Sequence, residues 1–294
     1  MESNKHVVTR RDFVYGTMSA AAAVSIVGAM PAGADEDAST RSSSVVVVRD
    51  EKVQGSDQKV DANVLKKMLE ETVVRVTGKT TTKEAWLSLV TPNDVVGLVS
   101  TPHLNPTHNE VVDAVKAGLM EAGIPEKNIL LAQGGPDKAK ACTALIGLPS
   151  LKAHWLTGIG TVMKLYIMYS GKPRDYHGEN NAKLGEIWNL PDVKGKTKLM
   201  LVDALRPLCD KGPQPDPQYM WNYNGLIAGA DPVAVETVCL KIISEKRRAI
   251  NKEPWPLSPP PLCVEAADKV YKLGTSNLAE IKIEKFGWMQ DVLI

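Results

Sequence analysis

Lys164 follows His154 by ten positions, and Lys152 stands two residues before that histidine. An imidazole titrates near neutrality and transfers protons; a lysine amine holds an anion or forms a Schiff base with a carbonyl. In the next loop, residues 171–178 (GKPRDYHG), Arg174, Tyr176 and His177 add a cation and two hydrogen-bonding rings. A loop followed by a helix beginning near Thr157 lets these side chains face one cleft suited to a small carboxylate, phosphate or carbonyl compound. The plainer reading makes Lys152 and Arg174 solvated surface charges and His154 a hydrogen-bonded packing residue.

Other polar residues fall where short apolar runs end. The β-branched run 44–49 reads as a buried strand, and 94–99, 128–132, 197–202 and 225–229 read as four more. Between them lie helical periodicities at 61–73, 82–90 and 110–122, the last closed by Gly123. Asp231-Pro232 opens another helix, and residues 264–273 form the last one before a strand at 280–284. This alternation predicts an α/β fold with a largely parallel central sheet flanked by helices, and it leaves room for a smaller inserted subdomain. Residues 204–224 and 251–262, rich in Pro and Gly, read as long surface loops. Ligands of open α/β sheets collect at the carboxyl ends of the strands. His103 and His108 follow the second strand, Gln133-Gly134-Gly135 the third, Asp203 and Arg206 the fourth, and Asp231 the fifth. In one parallel sheet all four groups share an edge. Asp231 also reads as an ordinary helix cap, His108 as a surface residue beside one, and Gly134-Gly135 as a plain turn.

The candidate set is therefore His154, Lys164 and His103 for acid–base chemistry. Lys152, Thr157, Arg174, His177, Asp203 and Asp231 are the candidates for ligand binding. The metal candidates, if a metal is used, are His103, His154 and His177.

The chain has 294 residues, 44% of them hydrophobic and 23% charged, enough to bury a core and too apolar for disorder. Lys and Arg number 35 against 34 acidic residues, so no basic stripe exists to neutralise a phosphate backbone, and nucleic acid is excluded as a partner. Arg10-Arg11 precede a mildly apolar run, 14–30, that ends in the small-x-small sequence Ala32-Gly33-Ala34. These features resemble a twin-arginine export signal, which implies the twin-arginine translocation machinery as a partner and a periplasmic or other extracytoplasmic location. The expected organisation is a signal at 1–34, a polar linker at 35–44 and a single α/β domain at 45–294. Beyond the signal no run approaches the roughly 18 apolar residues of a membrane span. Cys142, Cys209, Cys239 and Cys263 lack metal-site spacing, so no iron–sulfur cluster is expected. Export after folding in a reducing compartment argues against disulfides among them.

Residues 151–158 (LKAHWLTG) with Lys164, and residues 229–236 (GADPVAVE), resemble two motifs of the uncharacterised family called domain of unknown function 362. The ending at residues 267–274 (ADKVYKLG) is similar to that family's as well, and the resemblance spans essentially residues 45–287. It departs after Lys164, where the family commonly has Lys-Asn followed closely by Gly. A remoter similarity, to the nickel-pincer lactate racemases, lies in the order of a strand-end His, a His and Lys ten apart, and a further His. That similarity implies Lys164 as a cofactor attachment point, His177 as a metal ligand, and His103 and His154 as the acid–base pair. Two functions follow as expectations: an exported enzyme using a His/Lys cluster on a small anionic or carbonyl ligand, with or without a metal or cofactor, or a non-catalytic exported accessory of a periplasmic redox system that binds a ligand, metal or partner.

Overall fold

A computed structural model of the protein describes residues 43–294. The export signal expected at residues 1–34, with its arginine pair and small-x-small sequence, lies outside the described residues.

Nine strands form the sheet: β1 (Ser43–Arg49), β2 (Val96–Ser100), β3 (Ile129–Leu131), β4 (Ala144–Leu148), β5 (Ser150–His154), β6 (Gly158–Ile159), β7 (Thr197–Leu208), β8 (Gly225–Gly229) and β9 (Ile281–Gly287). The main path runs β3-β2-β4-β7-β8-β1-β9, with β5 pairing to β7 and β6 to β5. Along that path only β8 runs against its neighbours; β1–β9, β2–β3, β2–β4 and β4–β7 are parallel. The fold is thus mixed α/β with a mostly parallel sheet.

Alternation along the strands divides the core in two. Val46 and Val48 of β1 face a layer made by α1 (Ala62–Thr77), α2 (Thr82–Leu89) and α3 (Asn109–Ala122). Val45 and Val47 face the other side. That side holds the long helix α6 (Pro232–Asn251), α7 (Leu262–Lys269) and the turns at 162–190, while the one-turn helices α4 (Asp137–Lys140) and α5 (Gly185–Trp188) complete the set. Local chemistry fixes the helix ends. Asp61 accepts the amides of Asn63 and Val64, Thr81 and Glu84 form a reciprocal capping box, and Gly78 and Gly123 close α1 and α3 in the left-handed conformation.

Several sequence expectations shift. Ser43, expected in the linker, begins β1 because β9 offers it a partner at Ile281. Residues 204–208, expected in a loop, continue β7 to Leu208, and their burial comes from pairing with β5. Strands β4 and β5 were not evident in the sequence. Gly147 breaks the β4 pattern, and the space beside it is filled by the Met200 side chain, whose Sδ would lie 2.5 Å from an added Cβ. No helix begins near Thr157; a two-residue strand and 3-10 turns follow instead. All four cysteines are free and buried. Among the described residues no helix is long and apolar enough to cross a membrane.

Candidate active site

Three chain segments converge beyond the end of β5. His154 is its last residue, and the tight connection to β6 pairs His154 with Gly158. Thr157 is wholly buried in that connection, donating its hydroxyl to the Ile159 carbonyl at 2.8 Å and its amide to the His154 carbonyl at 3.1 Å. Gly160 lies against the His154 ring; a Cβ there would come within 3.0 Å of the His154 Cβ. Next, a turn closed by the Leu165 amide on the Val162 carbonyl carries Lys164. The third segment brings His177, held by the Gly178 amide on the Leu156 carbonyl at 2.8 Å.

Lys164 Nζ stands 2.9 Å from His154 Nε2 and 2.8 Å from His177 Nε2. The two rings are stacked, with centroids 5.9 Å apart and planes 10° from parallel. Proton positions follow from the partners. His154 Nδ1 accepts the Leu156 amide at 3.1 Å, so the neutral ring carries its proton on Nε2, facing Lys164. An ammonium at Lys164 has no lone pair to accept it, so the arrangement requires a neutral amine. That amine in turn donates to His177 Nε2. Electrostatics point the same way. Burial, then the charge of Lys152, pulls the Lys164 pKa down to about 7. Burial, then the charges of Lys164, His177 and Lys152, pulls His154 down to about 3. His177 is lowered by burial and by Lys164.

The other candidates lie apart from this triad. Lys152 is buried, its pKa drawn down to about 7 by desolvation, but its Nζ is occupied by the carbonyls of Leu104 at 2.7 Å, Asn105 at 3.1 Å and His103 at 3.5 Å. It pins the loop after β2 to β5. His103 meets Lys152 through that carbonyl, and its residue is exposed. Arg174 is exposed on the turn before His177.

Asp203 sits inside β7 opposite Ser150, four residues back from His154 along β5, roughly 13 Å at strand rise. Its Oδ2 accepts both the amide and Nδ1 of His108 at 2.7 Å, and Oδ1 accepts the Leu205 amide at 3.0 Å. For His108, burial works downward, but the hydrogen bond and charge of Asp203 outweigh it and leave the pKa raised. This partnership was not legible in the sequence, because the two residues stand 95 apart in the chain and meet only in the assembled sheet.

Asp231 does not share the edge expected of it. Since β8 runs against its neighbours, Asp231 emerges at the opposite edge, beside the start of β1. There it caps α6 through the amides of Val233 and Ala234, both at 2.9 Å, and accepts Ser43 Oγ at 2.5 Å and the Thr275 amide at 3.0 Å.

Residues 124–241 match the family described as "Domain of unknown function (DUF362)". This match supports that family for under half of the chain, and it takes in β3 to β8 and the first half of α6. All three members of the triad lie inside it, whereas His103 and His108 precede it. No curated protein and no solved structure matches the chain. Among the described residues no three of His, Cys, Asp and Glu gather to hold a metal ion. Two imidazoles and one amine in mutual hydrogen-bond contact do not, as they stand, form the nickel site that the remoter resemblance implies for His177.

Proposed function

We propose that the protein is an exported enzyme whose Lys164 amine, kept neutral between two imidazoles, does acid–base or imine chemistry on a small carbonyl compound. The observation that carries this reading is the pair of contacts from Lys164 Nζ, 2.9 Å to His154 Nε2 and 2.8 Å to His177 Nε2. A neutral amine near pH 7 is a nucleophile as well as a base, and burial is a known means of producing one. Attack of Nζ on a carbonyl carbon forms the C–N bond; loss of water then gives the imine. His177 Nε2, which accepts from Nζ at 2.8 Å, can take each proton that leaves nitrogen and pass it to the departing oxygen, which leaves as water. A carbonyl substrate suits the site better than a simple anion, because the Lys152 amine is saturated by backbone carbonyls. Lys164 and His177 are only partly buried, which leaves the amine a route to solvent.

The test is reductive trapping. Glyoxylate with cyanoborohydride at pH 7 should place one adduct on Lys164, located by peptide mass mapping, well ahead of the exposed lysines. Folded protein that is labelled no faster at Lys164 than at those surface lysines would refute the reading.

A further inference from the structure

The residues at 229–236 that stood out in the sequence end in an acidic group, and the triad does not use it. Glu236, in the second turn of α6, is completely buried. Among the described residues no cation pairs with it. Its two oxygens instead accept two consecutive backbone amides, Val162 at 2.9 Å and Met163 at 3.2 Å. These amides open the turn that carries Lys164. The Met163 carbonyl on the other side receives the Trp188 indole N–H at 3.1 Å. The peptide chain leading into Lys164 is therefore gripped at both amides and at the carbonyl that joins it to the lysine.

We infer that Glu236 is the positioning residue of the site: its carboxylate, acting through the Val162 and Met163 amides, sets where the Lys164 amine stands between the two imidazoles. This deepens, and rests on, the imine reading of Lys164. The action runs through the backbone, since the Glu236 oxygens are taken up by the two amides that lead into Lys164. Burial of a carboxylate without a cation is costly unless its lone pairs are filled, and two amides with nothing else to bond are what fill them here. A carboxamide of the same shape has only one accepting oxygen, so Glu236→Gln leaves one amide without a partner. Glu236→Asp keeps both acceptors but withdraws them by one methylene.

The glyoxylate trapping experiment, run as a pH series on wild type, Glu236→Gln and Glu236→Asp, tests this. Wild-type labelling should have its midpoint near pH 7. In both folded variants the midpoint should move toward that of an ordinary lysine, with labelling at pH 7 reduced on the order of 100-fold. An unchanged midpoint in a folded Glu236→Gln overturns the inference. A second measurement needs no variant and no reactive lysine. In the intact wild-type chain, the amide proton shifts of Val162 and Met163 should follow the Glu236 side-chain carboxyl carbon through a single titration. Amides that ignore that titration overturn the positioning role, even where Lys164 proves reactive. Amides that follow it sustain the role, even where Lys164 proves inert and the imine reading falls.

Discussion

Lys164 Nζ and His154 Nε2 are 2.9 Å apart, and the opposite nitrogen of that imidazole already accepts a backbone amide. The proton between them consequently belongs to the histidine, and the lysine is the acceptor. In this reading a partly buried lysine works as a base, and among the described residues no carboxylate stands among its hydrogen-bond partners.

That arrangement has a cost in stability. A lysine depressed to about 7 in the fold binds fewer protons than it does in the unfolded chain, whose lysines titrate near 10.4. Stability should therefore be greatest above the unfolded value and fall as pH drops toward 7, with no further loss from this group below that. Replacing Lys164 by Met should flatten denaturant midpoints across this window by on the order of 1–2 kcal/mol, a figure reduced for solvent reaching the half-buried amine. Parallel curves for wild type and variant would count against a neutral Lys164.

The His108–Asp203 pair gives the opposite sign. His108 is raised in the fold, so its contribution is complete below the unfolded value near 6.5 and is lost as pH rises through the folded one. Asp203→Asn should cost roughly 1.5–3 kcal/mol at pH 6, and less above the folded value. A remainder persists there, because Asp203 also accepts the amides of His108 and Leu205. Urea melts at pH 6 and pH 8.5 measure both quantities; a cost that does not shrink with pH would remove the ion pair from the account.

Asp231 is a cap in this geometry, at the edge away from the triad. Asp231→Ala should cost about 1–2 kcal/mol, the upper end reflecting the additional loss of the Ser43 and Thr275 bonds. Trapping of glyoxylate at Lys164 should continue at the wild-type rate. Loss of trapping in a folded Asp231→Ala chain would tie the two edges together.

For export, replacing Arg10 and Arg11 by Lys should hold the precursor inside the cell, because the receptor reads the arginine pair as an address and not as charge alone. Cell fractionation with an antibody to the mature chain decides it. Equal export of both forms would rule out the twin-arginine route.

What the sequence determined by itself was local. The Val run of β1, the caps at Asp61 and Asp231, and the glycine that ends α3 were legible because each depends on neighbours within a few residues. His154, Lys164 and His177 were legible as residues able to do chemistry, since they crowd into a short stretch with little else of that kind. Tertiary structure decided the rest. The reversal of β8 is a matter of pairing across the sheet, and it alone sends Asp231 to the far edge. The partners of Lys152 and His108 lie 47 and 95 residues away, at Asn105 and Asp203 respectively, beyond any periodicity. Glu236 had its place in a sequence motif, but its meaning required the Val162 amide 74 residues upstream. The Lys164 pKa is drawn down because burial removes the water that would solvate its charge, and burial is a property that only the assembled fold possesses.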